Sequence, residues 1–407
     1  VLVHGTGTEL VPPDFPPLSD AEVRRLLARV PSVAAFASSA RVVWHSPRPF
    51  SATALVALDE GPEAAALGTR RRPSPRAASE VKPDGSGGTP LSLVVKRHSR
   101  LARSPASLEA EHAFMRHLAS RGLAVPRALD DGTSSAWEEG GFVYEVQEVL
   151  AGEDLYANEP SWTPYMSETH AASAGVALAR LHLASAGFSQ PPRPVEPLYA
   201  TAAVVSSEDP LAATEGLGLL LPGLGQFLRA RASWRAELAR ALGPYHQAFL
   251  PCARELEATW AHNDWHPSNL LWSLGSQGED VAGVIDFSLA NLTSTAYDLA
   301  TALERSVVRW LLPPDRWAAN FGQAGALLRG YMSLRPLGAA EARALPRLLP
   351  MVHVDYALSE VDYYMRVAGS PANAGVAWET YLIGHLGWWA TPGGQQFCRY
   401  VGQLLAG

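Results

Sequence analysis

Apolar positions come in short runs and alternations through the first third of the chain, and with a helical period through most of the rest. Ala40-Arg41-Val42-Val43-Trp44 and Ala54-Leu55-Val56-Ala57-Leu58 read as two strands. Leu91-Ser92-Leu93-Val94-Val95-Lys96 reads as a third, and Phe142 to Val149 as the clearer member of a later pair. Ser19-Asp20-Ala21-Glu22, ahead of Val23, Leu26, Leu27 and Val30, predicts a capping box opening a short amphipathic helix. A second helix is predicted over 107–120, with Leu108, Phe114, Met115 and Leu118 on its apolar side. Two stretches break the pattern. Residues 1–17 are rich in Gly and Pro and read as a loose arm. Residues 60–90 carry Arg70-Arg71-Arg72-Pro73 and Asp84-Gly85-Ser86-Gly87-Gly88, and read as a flexible loop between strands.

After Gly152 the texture turns helical. Helices are predicted over 170–184, 230–242 and 245–260, the last two parted by Gly243-Pro244. A polar loop at 262–267 follows, then two short strands at 270–272 and 282–285, and helices again from Tyr297. This order predicts an α+β, two-lobed plan: a small antiparallel β lobe with one helix, then a large, mainly helical lobe. Residues 1–34 would be an N-terminal arm and helix. Residues 35–148 would be the small lobe carrying the 60–90 insert, and 149–407 the large lobe, with the seam near 149–155. A cleft between lobes is a favoured place for a ligand.

Composition narrows the picture. Hydrophobic residues make up 47% and charged residues 18%, as in an ordinary globular protein, and the formal charge of −7 argues against nucleic acid as the partner. Cys252 and Cys398 are too few for a disulfide scaffold, so a reducing compartment is expected. No apolar run reaches the roughly 18 residues of a membrane span, and no signal-peptide pattern opens the sequence. The expectation is therefore a cytoplasmic protein with no membrane partner. Of 33 basic residues only Lys82 and Lys96 are lysines. Lys82 falls in the low-complexity insert, whereas Lys96 closes an apolar strand.

The polar loop reads Ala261-His262-Asn263-Asp264-Trp265-His266-Pro267-Ser268-Asn269, and twenty-two residues after Asp264 comes Val284-Ile285-Asp286-Phe287. Phosphoryl transfer from a nucleotide needs such a set. One carboxylate accepts or orients a hydroxyl proton. An amide oxygen and a second carboxylate hold Mg²⁺, a hard cation that prefers oxygen, against the phosphates.

These residues resemble the catalytic segments of the aminoglycoside phosphotransferase and choline kinase type of small-molecule kinases, whose fold is protein-kinase-like. The resemblance spans about residues 35–310. It implies Asp264 as catalytic base, and Asn269 and Asp286 as Mg²⁺ ligands. It implies Lys96 as the lysine on the ATP phosphates, held by Glu111 on the following helix in preference to Glu109. It implies nucleotide contacts from Ser51 and Thr53 in the phosphate-covering loop, and from the hinge residues Gln147, Glu148 and Val149. Asp298, in Tyr297-Asp298-Leu299-Ala300, and His182 are expected to be structural. The chain departs from the family in three places: Asn263 stands where a glycine is usual, the loop from Ser46 to Thr53 has no glycine, and Ser288 follows Phe287.

The expected activity is thus ATP- and Mg²⁺-dependent phosphorylation of a hydroxyl on a small molecule of the amino sugar, amino alcohol, homoserine or sugar type. Asp355 and Glu360, on a helix over 352–366, are candidate contacts for a cationic acceptor, and Glu379 is a weaker one. Trp388 and Trp389 read as core. Three rival readings are a bacterial stress-type protein Ser/Thr kinase, a non-catalytic nucleotide-binding regulator, and a metal-dependent hydrolase built on His262, Asp264, His266 and Asp286.

Overall fold

The computed structural model describes residues 15–46, 50–58, 91–275 and 278–406. The loop expected over 60–90, with Lys82, and most of the arm expected at the start lie outside the described residues. Strands β1 (Arg41–His45), β2 (Ala52–Leu58), β3 (Leu91–Ser99), β4 (Ala128–Leu129), β5 (Ala136–Glu139) and β6 (Phe142–Glu148) form an antiparallel sheet. Its order is β1-β2-β3-β6-β4, with β5 also pairing β6. β3 runs on past Lys96 to Ser99, so Lys96 lies within a strand, opposite Thr53 on one side and Glu145 on the other. The pleat then puts Lys96 and His98 of β3 on the same face as Glu145 and Gln147 of β6.

The other face is apolar. Ala54, Val56, Leu93, Val95 and Val146 pack against Val23, Leu26 and Leu27 of α1 (Asp20–Leu27). The first described helix is therefore part of the small lobe's core and not a separate arm. Its capping box is half formed. Ser19 Oγ accepts the Glu22 N–H at 3.3 Å, but the Glu22 carboxylate turns away to Arg97 and the Tyr144 hydroxyl. Helix α2 (Pro105–Ser120) begins at the N-cap Ser104 and covers the polar face. Its Leu108 packs on Ala136 and Val143. Its Phe114 reaches the large lobe's core, with ring centroids 5.2 Å from Phe188 and 5.5 Å from Trp260. One helix thus sits in both lobes.

The large lobe contains α3 (Glu168–Ser185), α4 (Trp234–Ala253), α5 (Thr295–Val307), α6 (Phe321–Leu334), α7 (Val354–Arg366) and α8 (His385–Trp389) among its helices. Two small antiparallel pairs precede α5: β7 (Thr259–Ala261) with β10 (Asn291–Thr293), and β8 (Leu270–Gly275) with β9 (Gly278–Val284). The break expected at Gly243-Pro244 does not occur, since α4 runs through both Pro244 and Pro251. Trp234, Leu238, Leu242, His246 and Phe249 are buried along one side of it. That burial, about 1.5–3 kcal/mol per large apolar side chain, offsets the roughly 3 kcal/mol cost of an interior proline. α3 and α6 cross closely. A Cβ on Gly175 would overlap the Leu327 carbonyl, and one on Gly330 would overlap that of Ala172. At the seam Gly152 has φ +136°, and a Cβ there would stand 2.7 Å from that of Leu271. The chain can therefore lie against β8, where Glu153 pairs with Trp272. Among the described residues no helix is long and apolar enough to cross a membrane.

Candidate functional site

Residues 262–269 form the turn between β7 and β8, and three buried groups hold its backbone. Asp298, in the first turn of α5, accepts the N–H of His262 (2.9 Å) and of Asn263 (2.8 Å), and also contacts His182 Nε2 at 3.1 Å. Asn263 has φ +60°, the left-handed conformation that glycine adopts freely and asparagine tolerates best among the others. Its side chain compensates. Nδ2 donates toward the carbonyls of Ala261, Leu289 and Asn291 at 3.2–3.3 Å, and Oδ1 accepts from Thr293 at 2.7 Å. His262 is the third brace. Its Nδ1 accepts the Asp264 N–H at 3.2 Å, which leaves Nε2 as the donor to the Ile285 carbonyl at 3.1 Å.

This frame brings three of the predicted side chains together. Asn269 Nδ2 donates to the Asp264 carbonyl (2.9 Å) and to Asp264 Oδ2 (3.1 Å). The Ile285 N–H donates to the Asn269 carbonyl at 2.9 Å, which sets Asp286 beside Asn269. Asp286 is half-exposed, has φ +58°, and lies 3.5 Å from Lys96 Nζ. With its nitrogen engaged, Asn269 has its amide oxygen left to give. That oxygen and the Asp286 carboxylate are hard donors of the kind Mg²⁺ takes, so the residues present fit the cation.

Burial alone would raise the pKa of Asp264. His266, 3.4 Å away, and Arg305, in hydrogen-bond contact, outweigh it and hold the carboxyl well below the usual range. Burial would likewise lower Lys96, but Asp286, Glu145 and Glu111 keep it charged and raise its pKa. Arg305 was not singled out from the sequence. The signal was its place seven residues after Asp298, two turns along the same face of α5. Its guanidinium lies 4.8 Å from the Tyr356 ring centroid and 5.3 Å from that of Trp162.

The pairing expected between Lys96 and Glu111 is not the one formed. Lys96 Nζ is 4.0 Å from Glu145 Oε1, on the neighbouring strand. Glu111 pairs instead with Arg193 at 3.4 Å, and Glu109 caps the 134–136 turn through Ser134 and Ser135. The physical reason is register. Glu145 stands directly opposite Lys96 in the sheet, whereas Arg193, donating to Ser107 Oγ and to the carbonyls of Ser288 and Ala290, meets Glu111 first. Glu145 is fully buried and shared by His98 (2.9 Å), His112 (2.8 Å) and Gln147 Nε2 (2.6 Å).

Of the expected hinge contacts, Gln147 is committed to Glu145 through its side chain and to β3 and β4 through its backbone. Glu148 donates its N–H to the Arg127 carbonyl at 2.9 Å. Val149, just past the end of β6, is outside the sheet pairing. Ser51 Oγ and Thr53 Oγ1 lie 2.9 Å apart, bonded to each other; residues 47–49 between the flanking segments are outside the described residues.

Asp355 is not open to an acceptor. Its carboxylate accepts the N–H groups of Val204 (2.8 Å) and Val205 (3.2 Å). Glu360 is buried beside His353 at 3.9 Å. Glu379 is at the surface on Arg231, 3.0 Å away, and Trp388 and Trp389 are core residues. The hydrolase reading fails on geometry. Both ring nitrogens of His262 are used within the loop, and those of His266 face Ser268 (3.0 Å) and Asp264.

Residues 78–337 match a family model described as the phosphotransferase enzyme family. The homoserine kinase of Brucella anthropi is 29% identical over 284 residues, covering 69% of this chain and 74% of that protein. Two solved structures share the fold across nearly their whole lengths. A microcompartment-associated aminopropanol kinase has a TM-score of 0.53 at 17% identity, covering 92% of this chain and 99% of that one. A choline kinase from Cryptosporidium parvum Iowa II has a TM-score of 0.53 at 10% identity, covering 95% and 99%.

Proposed function

This chain belongs to the phosphotransferase enzyme family, and from that premise we propose that it moves the γ-phosphoryl group of ATP, with Mg²⁺, to the hydroxyl of a small amino-acid alcohol of the homoserine type. It is a small-molecule kinase. The observation that carries the reading is that Asp264, Asn269, Asp286 and Lys96 come together where strand β3 of the small lobe meets the loops of the large one. The acceptor class is supported by homoserine kinases at about 30% identity and by Arg305. A guanidinium beside Asp264 suits an acceptor that carries its own carboxylate.

In this reading the nucleotide lies in the seam between the small lobe (to residue 148) and the large one (from 149), its base on the backbone of Val149. Lys96, kept charged by Glu145 and Asp286, contacts the phosphates. Bound at Asn269 and Asp286, Mg²⁺ supplies neutralisation of the charge on the transferring phosphoryl group. Asp264 orients the acceptor hydroxyl and takes its proton. The hydroxyl oxygen bonds to the γ-phosphorus as the bond from that phosphorus to the bridging oxygen breaks, and ADP leaves with that electron pair. Arg305 exchanges Asp264 for the acceptor's carboxylate, which frees the base as the acceptor docks.

An ADP-release assay over L-homoserine, ethanolamine, choline and an aminoglycoside tests this. L-homoserine is expected to turn over fastest, and Asp264→Asn to lower kcat by at least about 100-fold. Asp286→Ala is expected to abolish Mg²⁺-dependent nucleotide binding. Full turnover in Asp264→Asn would overturn the assignment of the base. Arg305→Met separates acceptor from chemistry, since it should raise KM for L-homoserine far more than for ethanolamine, which has no carboxylate.

A further inference from the structure

Behind Arg305 lies a cluster that phosphoryl transfer does not use. Glu304 of α5, His353 just before α7 and His385 at the start of α8 are all buried. One ligand atom from each lies within 4.8 Å of the other two. Both carboxylate oxygens of Glu304, both ring nitrogens of His353 and Nδ1 of His385 have no hydrogen-bond partner among the described residues. Buried polar atoms in native interiors are paired in roughly nine cases of ten. Five orphans in one place, two of them the oxygens of one carboxylate, are costly unless something charged completes them. The nearest guanidinium does not, because Arg305 turns to Asp264.

We propose that Glu304, His353 and His385 form a buried structural site for one transition-metal dication of the Zn²⁺ class, separate from the Mg²⁺ positions at Asn269 and Asp286. Two imidazoles with a carboxylate are borderline donors suited to zinc, whereas magnesium and calcium take oxygen alone. Glu304 Oε1 and His385 Nδ1 stand 3.4 Å apart, about the edge of a tetrahedron built on 2.0–2.1 Å bonds. Glu360 Oε2, itself without a hydrogen bond, lies 3.9 Å from His353 and outside the three-residue set. The walls are dry. Trp310 stacks on His385 with centroids 3.8 Å apart, and Trp162 meets His353 edge-on at 5.4 Å. The ion would tie three helical segments together one residue away from Arg305, the group that touches the catalytic carboxylate.

The test uses the full chain and metal alone. Purified without chelator, it is expected to carry about one zinc per chain. After chelation it should bind Co²⁺ one to one with the visible absorption of a tetrahedral site, displaced by equimolar Zn²⁺ and not by millimolar Mg²⁺. Glu304→Gln, which keeps the side chain's shape, and His385→Gln should each lose that spectrum while circular dichroism shows the wild-type fold. Should neither variant fold, the wild-type titration decides alone. A folded wild type with no metal on purification and no Co²⁺ spectrum overturns the proposal. So does Co²⁺ binding that survives both substitutions, or a melting temperature raised by ethylammonium and not by Zn²⁺, which would mark an ammonium pocket instead.

Discussion

Asn263 shows how one residue can replace a glycine without cost to the loop it serves. The left-handed backbone at φ +60° is strained for most side chains, and the four hydrogen bonds of its amide offset that strain. Asn263→Gly keeps the conformation and loses the bonds, so activity should persist with a small fall in melting temperature. Asn263→Val loses both and buries an unmatched surface, which should cost about 2–4 kcal/mol in denaturant unfolding. Lys96 makes a second residue-level claim. Held by Glu145, it should respond to Glu145→Gln with about a tenfold rise in the KM for ATP, while Glu111→Gln, which strands Arg193, should lower thermal stability and leave that KM nearly unchanged. The opposite order would restore the pairing expected from the sequence. That expectation went wrong because it joined two residues by helix position, whereas the cross-strand register that decides the matter is a tertiary fact. Asp264, Asn269 and Asp286 were legible because they stand in one contiguous loop and just past the short hairpin that follows it. Arg305 was not, because only the docking of α5 turns it toward Asp264.

At the scale of elements, several strands and helices with a clear period were readable to within a few residues. The helix expected over 245–260, however, ends at Ala253, and Thr259–Ala261 is strand β7. A proline caused a second misreading. Gly243-Pro244 reads as a stop in isolation, yet the buried side of α4 carries the helix through it. The start of α4 also anchors the π-helical stretch Ala377–Gly384 that leads into α8. Glu237 accepts from Trp378 Nε1 and from Arg231 Nε, both at 2.7 Å, and from Ser233 at 2.6 Å. Burial would raise its pKa, but those three partners lower it to about 2 from an ordinary 4.5. A carboxyl depressed in the folded state stabilises fully above its unfolded pKa and loses that contribution as pH falls through the folded one. Glu237→Gln should therefore lower the melting temperature by a few degrees at pH 7, with the gap to wild type narrowing as pH falls from about 4.5 toward 2.

For the molecule as a whole, the two lobes share more than a hinge. α2 packs in the large lobe's core through Phe114 and on the small lobe's sheet through Leu108, and Phe50, within the glycine-free loop, meets Tyr363 of α7 with ring centroids 5.1 Å apart. The seam depends on Gly152, where φ +136° and the nearness of Leu271 leave no room for a side chain. Gly152→Val should reduce both the melting temperature and kcat, and expose the 149–155 segment to limited proteolysis. The two-lobed plan was legible because the change in hydrophobic period marks it; the sharing of α2 was not, since it depends on packing across 150 residues of sequence. Lys96 has a practical consequence at this scale. It is the one lysine among the described residues, and one of two in the whole sequence. A nucleotide analogue bearing an amine-reactive acyl group would meet one lysine amine among the described residues. Because that amine is held as an ammonium ion between two carboxylates, it acylates only after giving up a proton, which displacement of Asp286 by the reagent favours. The yield of one labelled peptide would then count how many molecules had nucleotide in the productive position.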